Sequence, residues 1–313
     1  MAELKNSTLQ LIMNLRFSNA VVNTGLVVSG LLWNNMAGFD LGYLVLIFGM
    51  FFGNVFAFVV NDYYDVSADF EDPVKRVRNI FCSAEKKNLG MQILYLSLVL
   101  SIILSTLASL NTLIVVILFN VALFLYSAPP VRFRDRFIWD WVFILLWKGL
   151  NIMAGYVYLF GWTWFGNDLF ISGTLSLLLL VSLIGQIQVN QLIDFEVDSL
   201  TNNVNTVQRL GRHRATLIFK FLLVIFFSIG FYLCYAFQLY FTMILILINL
   251  TLYYFVKSDK RHIVLDYSLV WIFILFVEKN MPVFNIYQSI LIGSGIVAMF
   301  GFAFWHAKRK DLL

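Results

Sequence analysis

The sequence predicts an all-α membrane protein, a polytopic bundle of nine or ten transmembrane helices in two quasi-repeated halves around a central cavity. Three observations predict it. Of 313 residues, 60% are hydrophobic and 13% charged, well below the roughly 25% charged of a soluble domain. The mean hydropathy is +0.82, and apolar stretches near the ~20 residues that span hydrocarbon recur along the chain. A polar pattern, N-x-x-x-D-x-x-x-D, occurs from Asn61 and again from Asn190, 129 positions on, each time closing a long apolar run.

The expected spans are residues 19–33, 41–60, 91–110, 112–126, 137–160 and 169–188, then 215–237, 239–256, 263–277 and 286–304. Lipid satisfies no backbone hydrogen bond, so these segments must be helices. No small-residue cleavage site follows the first run, which reads as a retained span and not a signal peptide. The ninth run is short and ends at Glu278-Lys279, which leaves the count at nine or ten. Residues 1–313 read as one integral-membrane domain whose internal repeat is marked near 61–69 and 190–198.

Charge sets the orientation. Twenty of the 22 basic residues fall on every second loop or at the termini, leaving only Lys148 and Lys279 inside or beyond spans. By the positive-inside rule those loops are cytoplasmic, and both acid motifs lie on that side. The net charge of +4 therefore reports topology, and no nucleic acid is expected as a partner. Two cysteines, Cys82 and Cys234, and three scattered histidines argue against a disulfide framework, a zinc centre or a His-dependent triad.

The repeated acids carry the chemistry. If the second helix runs on, Asn61, Asp65 and Asp69 share a face at i, i+4 and i+8, with Asp62 one position off. Gln186, Asn190, Asp194 and Asp198 would form a matching stripe at the end of the sixth span. Hard oxygen ligands without nitrogen or sulfur suit Mg²⁺, which keeps waters and shares its shell with phosphates. Two such walls could grip a diphosphate from both sides, with Arg and Lys of the adjoining loops neutralising the remaining charge. Inside the spans, Lys148 is a functional candidate by default, or else a partner for Asp140. Asn54 either faces the same cavity as Asn61 or bonds between helices.

At these residues the chain resembles the UbiA superfamily of intramembrane prenyltransferases. The first family signature, N-D-x-x-D-x-x-x-D, is matched by Asn61, Asp62, Asp65 and Asp69. In the second, Asp194, Asp198 and Thr206 fit the spacing, while Gln191 stands where an acid is frequent and Asn202 where glycine is usual. A third family feature, Y-S-x-P-P-x-R, appears as Tyr126-Ser127-Ala128-Pro129-Pro130-Val131-Arg132. The loop Lys75-Arg76-Val77-Arg78-Asn79-Ile80-Phe81-Cys82-Ser83 lacks the family's usual R-P-x-x-S-G pattern.

The resemblance implies an Mg²⁺-dependent enzyme that moves a prenyl group from a polyprenyl diphosphate to an aromatic or other lipophilic small-molecule acceptor. An allylic cation would form at the cytoplasmic side of a lipid bilayer. It implies that Asp62, Asp65, Asp69, Asp194 and Asp198 are catalytic and bind the metal, with Tyr126 beside the cation. Asn61, Lys75, Arg78, Arg132, Arg134, Asn190 and Gln191 would surround the donor; Arg16, Asn19, Asn54 and Lys148 would meet substrate elsewhere in the cavity. The alternatives are a cation- or proton-coupled transporter, whose acids belong nearer the midplane, and a terpene cyclase of the same family type.

Overall fold

The computed structural model describes residues 17–31, 40–71, 73–163, 168–200, 204–255 and 261–280. They are helical, with no strand among them, and form two compact units, 17–163 and 168–280. Six helices among the described residues are long and apolar enough to cross a bilayer, and two shorter ones, Asn19–Leu31 and Tyr240–Phe255, are apolar throughout. The chain is an integral membrane protein. The expected tenth span, 286–304, lies outside the described residues, which therefore do not set the number of spans.

In the first unit, α1 (Phe17–Leu31) and α2 (Leu41–Tyr64) are followed by two short helices, α3 (Val66–Glu71) and α4 (Pro73–Arg78). A 3₁₀ turn (Ile80–Cys82), α5 (Lys87–Ala108), α6 (Leu110–Ser127) and α7 (Trp139–Phe160) complete it. Caps fix the ends. Asp40 accepts from the Tyr43 amide at 3.1 Å to start α2, and Ser109 accepts from the Thr112 amide at 3.1 Å to start α6. Each satisfies a donor that a helix start leaves orphaned.

Packing here inverts the pattern of a soluble helix. The buried side chains of α5 are Gly90, Ser97, Ser101 and Ser105, while Tyr95, Leu96, Val99, Ile103 and Leu107 face outward. Lipid is as apolar as leucine, so small residues at contacts let backbones approach and dispersion accumulate. Gly49 and Gly53 of α2 lie against Ser105 and Ser101 of α5. The crossing of α1 and α7 is tighter. A Cβ on Gly30 would collide with the Ile152 carbonyl, and one on Gly155 with the Val27 carbonyl.

A polar layer crosses the same unit. The buried Asn54 amide donates to Asn151 Oδ1 at 2.8 Å and to the Met50 carbonyl at 2.9 Å, and accepts from Trp147 Nε1 at 2.9 Å. Lys148 Nζ donates to Asn23 Oδ1 and lies 5.0 Å from the centre of the Trp147 ring. Lys148 thus takes an amide partner, and no ion pair to Asp140 forms. Asn54 bonds between helices. At 1.5 Å per residue both groups lie about 14–15 Å from the ends of α2 and α7 that carry the acid motif and its loop.

The second unit starts with α8 (Leu169–Gly185), capped by Asp168, and passes without a break into a π-helical stretch (Gln186–Leu192). Next come α9 (Phe195–Leu200), α10 (Thr206–Leu210), α11 (Arg212–Phe237), α12 (Tyr240–Phe255) and α13 (Arg261–Asn280). Trp271 is buried against Phe226, with ring centres 5.2 Å apart. Glu278 reaches from α13 to cap α12, accepting from Thr242 N at 2.8 Å and Phe241 N at 3.0 Å.

The glycine crossing makes a direct prediction. Gly155→Val should lower the thermal midpoint of the detergent-solubilised protein, with overpacking costing about 1–3 kcal/mol, whereas Leu107→Ala on the lipid face should leave it nearly unchanged.

Candidate active site

The first acid motif sits where α2 stops. The helix ends at Tyr64, and Asp65 leaves it with φ −97° and ψ 3°. The ladder still continues: Asp65 N bonds to Asn61 O at 3.0 Å and Asp69 N to Asp65 O at 2.8 Å. The helix expected through 61–69 is therefore bent at Asp65, while Asn61 and Asp65 still share a face, their side chains bonded at 2.9 Å.

Asp62, Asp65 and Asp69 are only 3%, 6% and 6% exposed. Three buried carboxylates within eight residues require compensation, because an unpaired buried charge costs several kcal/mol. For Asp65 it comes from the loop after α6. Arg132 Nη2 donates to Asp65 Oδ1 at 3.2 Å, Arg134 Nη1 donates to Asp65 Oδ2, and Asn61 Nδ2 donates to the same oxygen at 2.9 Å. Asn61 Oδ1 in turn accepts from Arg134 at 3.1 Å and from Ser127 Oγ at 3.4 Å. Asp135 braces both arginines, 2.7 Å from Arg132 Nε and 3.3 Å from Arg134 Nε.

Local backbone places these arginines. After the paired prolines, Arg132 takes a left-handed conformation at φ 38°, one that a side chain other than glycine adopts only when its surroundings hold it. Here the ion pairs to Asp65 and Asp135 do so. Burial alone would lower the Arg134 pKa, but the Asp65 charge and hydrogen bond outweigh it and raise the pKa above its usual value. The guanidinium stays charged at every physiological pH.

Around the clasp, aromatic rings form a column. Tyr126 is half-buried with its ring 6.3 Å from Phe143, which stacks on Phe133 at 4.4 Å beside Trp139. Lys75 and Arg78 are half-buried on α4. Asn19 is exposed near the start of α1 and its carbonyl accepts from Asn23. Arg16 lies outside the described residues. The structure thus gathers Asn61, Asp62, Asp65, Asp69, Arg132 and Arg134, and sets Asn54 and Lys148 apart in the deeper polar layer.

The second motif departs from the expected stripe more strongly. Over Gln186–Leu192 the chain widens into π-helical turns, with Ile193 N bonded to Gln188 O at 3.3 Å, and bends at Asp194 before α9. An extra residue per turn cancels the i, i+4 alignment. Such turns concentrate at functional sites. Gln191 is buried, Asp194 is half-buried, and the side chains of Asn190 and Asp198 lie outside the described residues.

Among the described residues, no three Asp, Glu, His or Cys side chains close on one metal position. The donors at hand are nonetheless buried carboxylate and amide oxygens, with Asp65 already facing two guanidinium groups. That chemistry fits a hard divalent ion that keeps waters and binds through one or two carboxylates plus phosphate oxygens. Sequence reasoning missed Asn79, Ser127 and Asp135. Only Asn79 left a signal, as a turn-forming residue beside the short run Ile80–Cys82.

Comparison with known proteins bears on this arrangement. A model of the UbiA prenyltransferase family matches residues 24–277. No curated protein matches the chain. Among solved structures, a UbiA homolog from Archaeoglobus fulgidus bound to GPP and Mg²⁺ superposes with a TM-score of 0.61 at 16% identity, over 94% of this chain and 98% of that one. The same homolog bound to DMAPP and Mg²⁺ gives the same values. A digeranylgeranylglyceryl phosphate synthase is similar at a TM-score of 0.61 and 19% identity, over 90% of this chain and 99% of its own. Those identities establish a shared fold; the family model, spanning far more than half of the sequence, establishes that this chain belongs to the UbiA prenyltransferase family.

Proposed function

We propose that the protein transfers a prenyl group from a polyprenyl diphosphate to an aromatic or other lipophilic acceptor, with Mg²⁺ and through an allylic cation. The observation that carries this reading is the clasp at Asp65, where the first acid motif meets two arginines of the Tyr-Ser-Ala-Pro-Pro-Val-Arg loop. Family membership supports it, as do the GPP, DMAPP and Mg²⁺ found with the Archaeoglobus homolog.

Asp62, Asp65 and Asp69 would hold Mg²⁺ on one half and Asp194 and Asp198 on the other, and the ion supplies Lewis acidity toward the departing diphosphate. Arg132 and Arg134 turn from Asp65 to the diphosphate oxygens, for which a guanidinium fork is well shaped. Asn61 keeps Asp65 aimed while the arginines leave. Lys75 and Arg78 add positive charge from α4, and Asn190 and Gln191 stand at the second motif. Tyr126, with Phe143 and Phe133 behind it, offers aromatic faces to the cation, each contributing about 2 kcal/mol when desolvated.

The membrane serves the chemistry. The polyprenyl tail partitions into lipid at about 0.8 kcal/mol per buried CH₂, and hydrocarbon excludes water that would capture the cation. The headgroup stays at the cytoplasmic face assigned by the basic loops. Lys148, deeper in the first unit, would receive the polar group of the acceptor, Asn54 being engaged between helices, and Arg16 and Asn19 would flank its approach.

Purified protein given Mg²⁺, radiolabelled prenyl diphosphates and a panel of lipophilic acceptors should release diphosphate. Asp65→Ala and Asp194→Ala should each lower that release about a hundredfold or more, the scale of removing one group that stabilises developing charge. Proton or cation uptake without diphosphate release would favour a transporter instead.

Arg134 yields a second expectation. Arg134→Ala should raise the donor KM about ten- to hundredfold, the range for losing a hydrogen bond between charged groups. Arg132→Ala should have a smaller effect, because Arg134 bonds both Asp65 and Asn61 whereas Arg132 reaches only Asp65 of the motif. Steady-state kinetics across donor concentrations would show it.

A further inference from the structure

Asn79 is 2% exposed and lies in the loop where the family's proline pattern is missing. Its side chain bridges both sides of the α2–α3 bend. Nδ2 donates to the Asp62 carbonyl at 2.7 Å and to Asp69 Oδ2 at 2.9 Å, while Oδ1 accepts from the Phe81 amide at 2.9 Å. Its own amide is tied to the Lys75 carbonyl at 2.8 Å. The side chain is thereby held at three points, and its flip state is set by two acceptors on one side and a donor on the other.

The first of these bonds is made near the helix end. The Asp62 carbonyl lies two residues before the end of α2 at Tyr64. Asn79 donates to it from 17 residues away. The second bond, made by the same nitrogen, fixes the direction of the Asp69 carboxylate relative to that helix end. Among the described residues Asn79 is the hydrogen-bond partner of Asp69.

The contrast with Asp65 is informative. Two guanidinium groups hold Asp65, whereas among the described residues a neutral amide orients the Asp69 carboxylate. A carboxylate that is buried and held in one direction is suited to receive a cation.

We propose that Asn79 is the positioning residue of the first acid motif: by clamping Asp69 to the end of α2, it presets that carboxylate for a divalent ion. The proposal rests on the metal-dependent reading above. Asn79 touches neither donor nor acceptor and acts through Asp69. Its amide holds the metal-facing oxygen in place without competing for the metal as a carboxylate or lysine would.

The test is Mn²⁺ binding by the purified full chain in detergent, read from the loss of the free-ion EPR signal, with no substrate present. Asn79→Ala and the near-isosteric Asn79→Leu should weaken binding about ten- to hundredfold, the usual effect of removing a group that orients a metal ligand. Asn120→Ala, which removes a buried amide of the same unit bonded to Ser101, serves as the control for general loosening and should bind Mn²⁺ like the wild type. In turnover assays the Asn79 variants should need more Mg²⁺ yet recover kcat at saturating metal. Wild-type affinity in both Asn79 variants, with binding abolished by Asp69→Ala, would overturn the proposal and leave the metal reading intact. Equal weakening in Asn120→Ala would also overturn it. If Asp69→Ala itself binds Mn²⁺ as the wild type does, the metal reading fails and this inference with it.

Discussion

The burial of three carboxylates at the end of one apolar helix is the constraint from which the first unit is organised. A chain cannot place Asp62, Asp65 and Asp69 under protein without supplying partners, since the interior repays ionic desolvation only through close and well-aligned contacts. Asp65 and Asp69 bring in different parts of the sequence. Asp65 draws the loop after α6 inward through Arg132 and Arg134. Asp69 draws in the turn before α5 through Asn79. Two loops far apart in sequence therefore meet at the bend of α2, and the site is assembled by the same charges that give it chemistry.

The helices provide a rigid frame for that assembly through contacts of a kind available only in lipid. Gly30 and Gly155 bring α1 and α7 into backbone contact, and the serines of α5 seat against Gly49 and Gly53. With large side chains turned outward, fit between helices comes from closeness and not from hydrophobic exclusion. The polar layer of Asn54, Asn151 and Trp147 locks α2 to α7 by hydrogen bonds whose partners are all internal. A fixed relation between α2, α6 and α7 is what lets Asp65 and its arginines meet at hydrogen-bond distance.

Much of this was legible in the sequence. Apolar runs separated by basic loops located the helices to within a few residues, because spanning length and hydropathy leave little freedom. The spacing of Asn61, Asp65 and Asp69 with the Tyr-Ser-Ala-Pro-Pro-Val-Arg segment pointed to the residues that the first unit gathers. The bend at Asp65 was not legible, since no proline or glycine marks it, and the lone Gly185 ahead of Gln186 does not single out a π-helical stretch. Asn79 escaped notice because one asparagine in a loop carries no periodicity, and its role appears only when Asp62 and Asp69 are seen on either side of it. The pairing of Lys148 with Asn23 instead of Asp140 likewise depends on how far α7 runs before reaching α1.

The central claim is that Asp65 and the arginines that clasp it form the place where a diphosphate is received. The most direct measurement is a double-mutant cycle on Mg²⁺-dependent binding of a prenyl diphosphate, using Asp65→Ala, Arg134→Ala and the pair together. If both side chains serve one headgroup, the losses should be strongly non-additive, with the double variant binding little worse than the weaker single one. Losses that simply multiply would show that the two act independently and contradict the account.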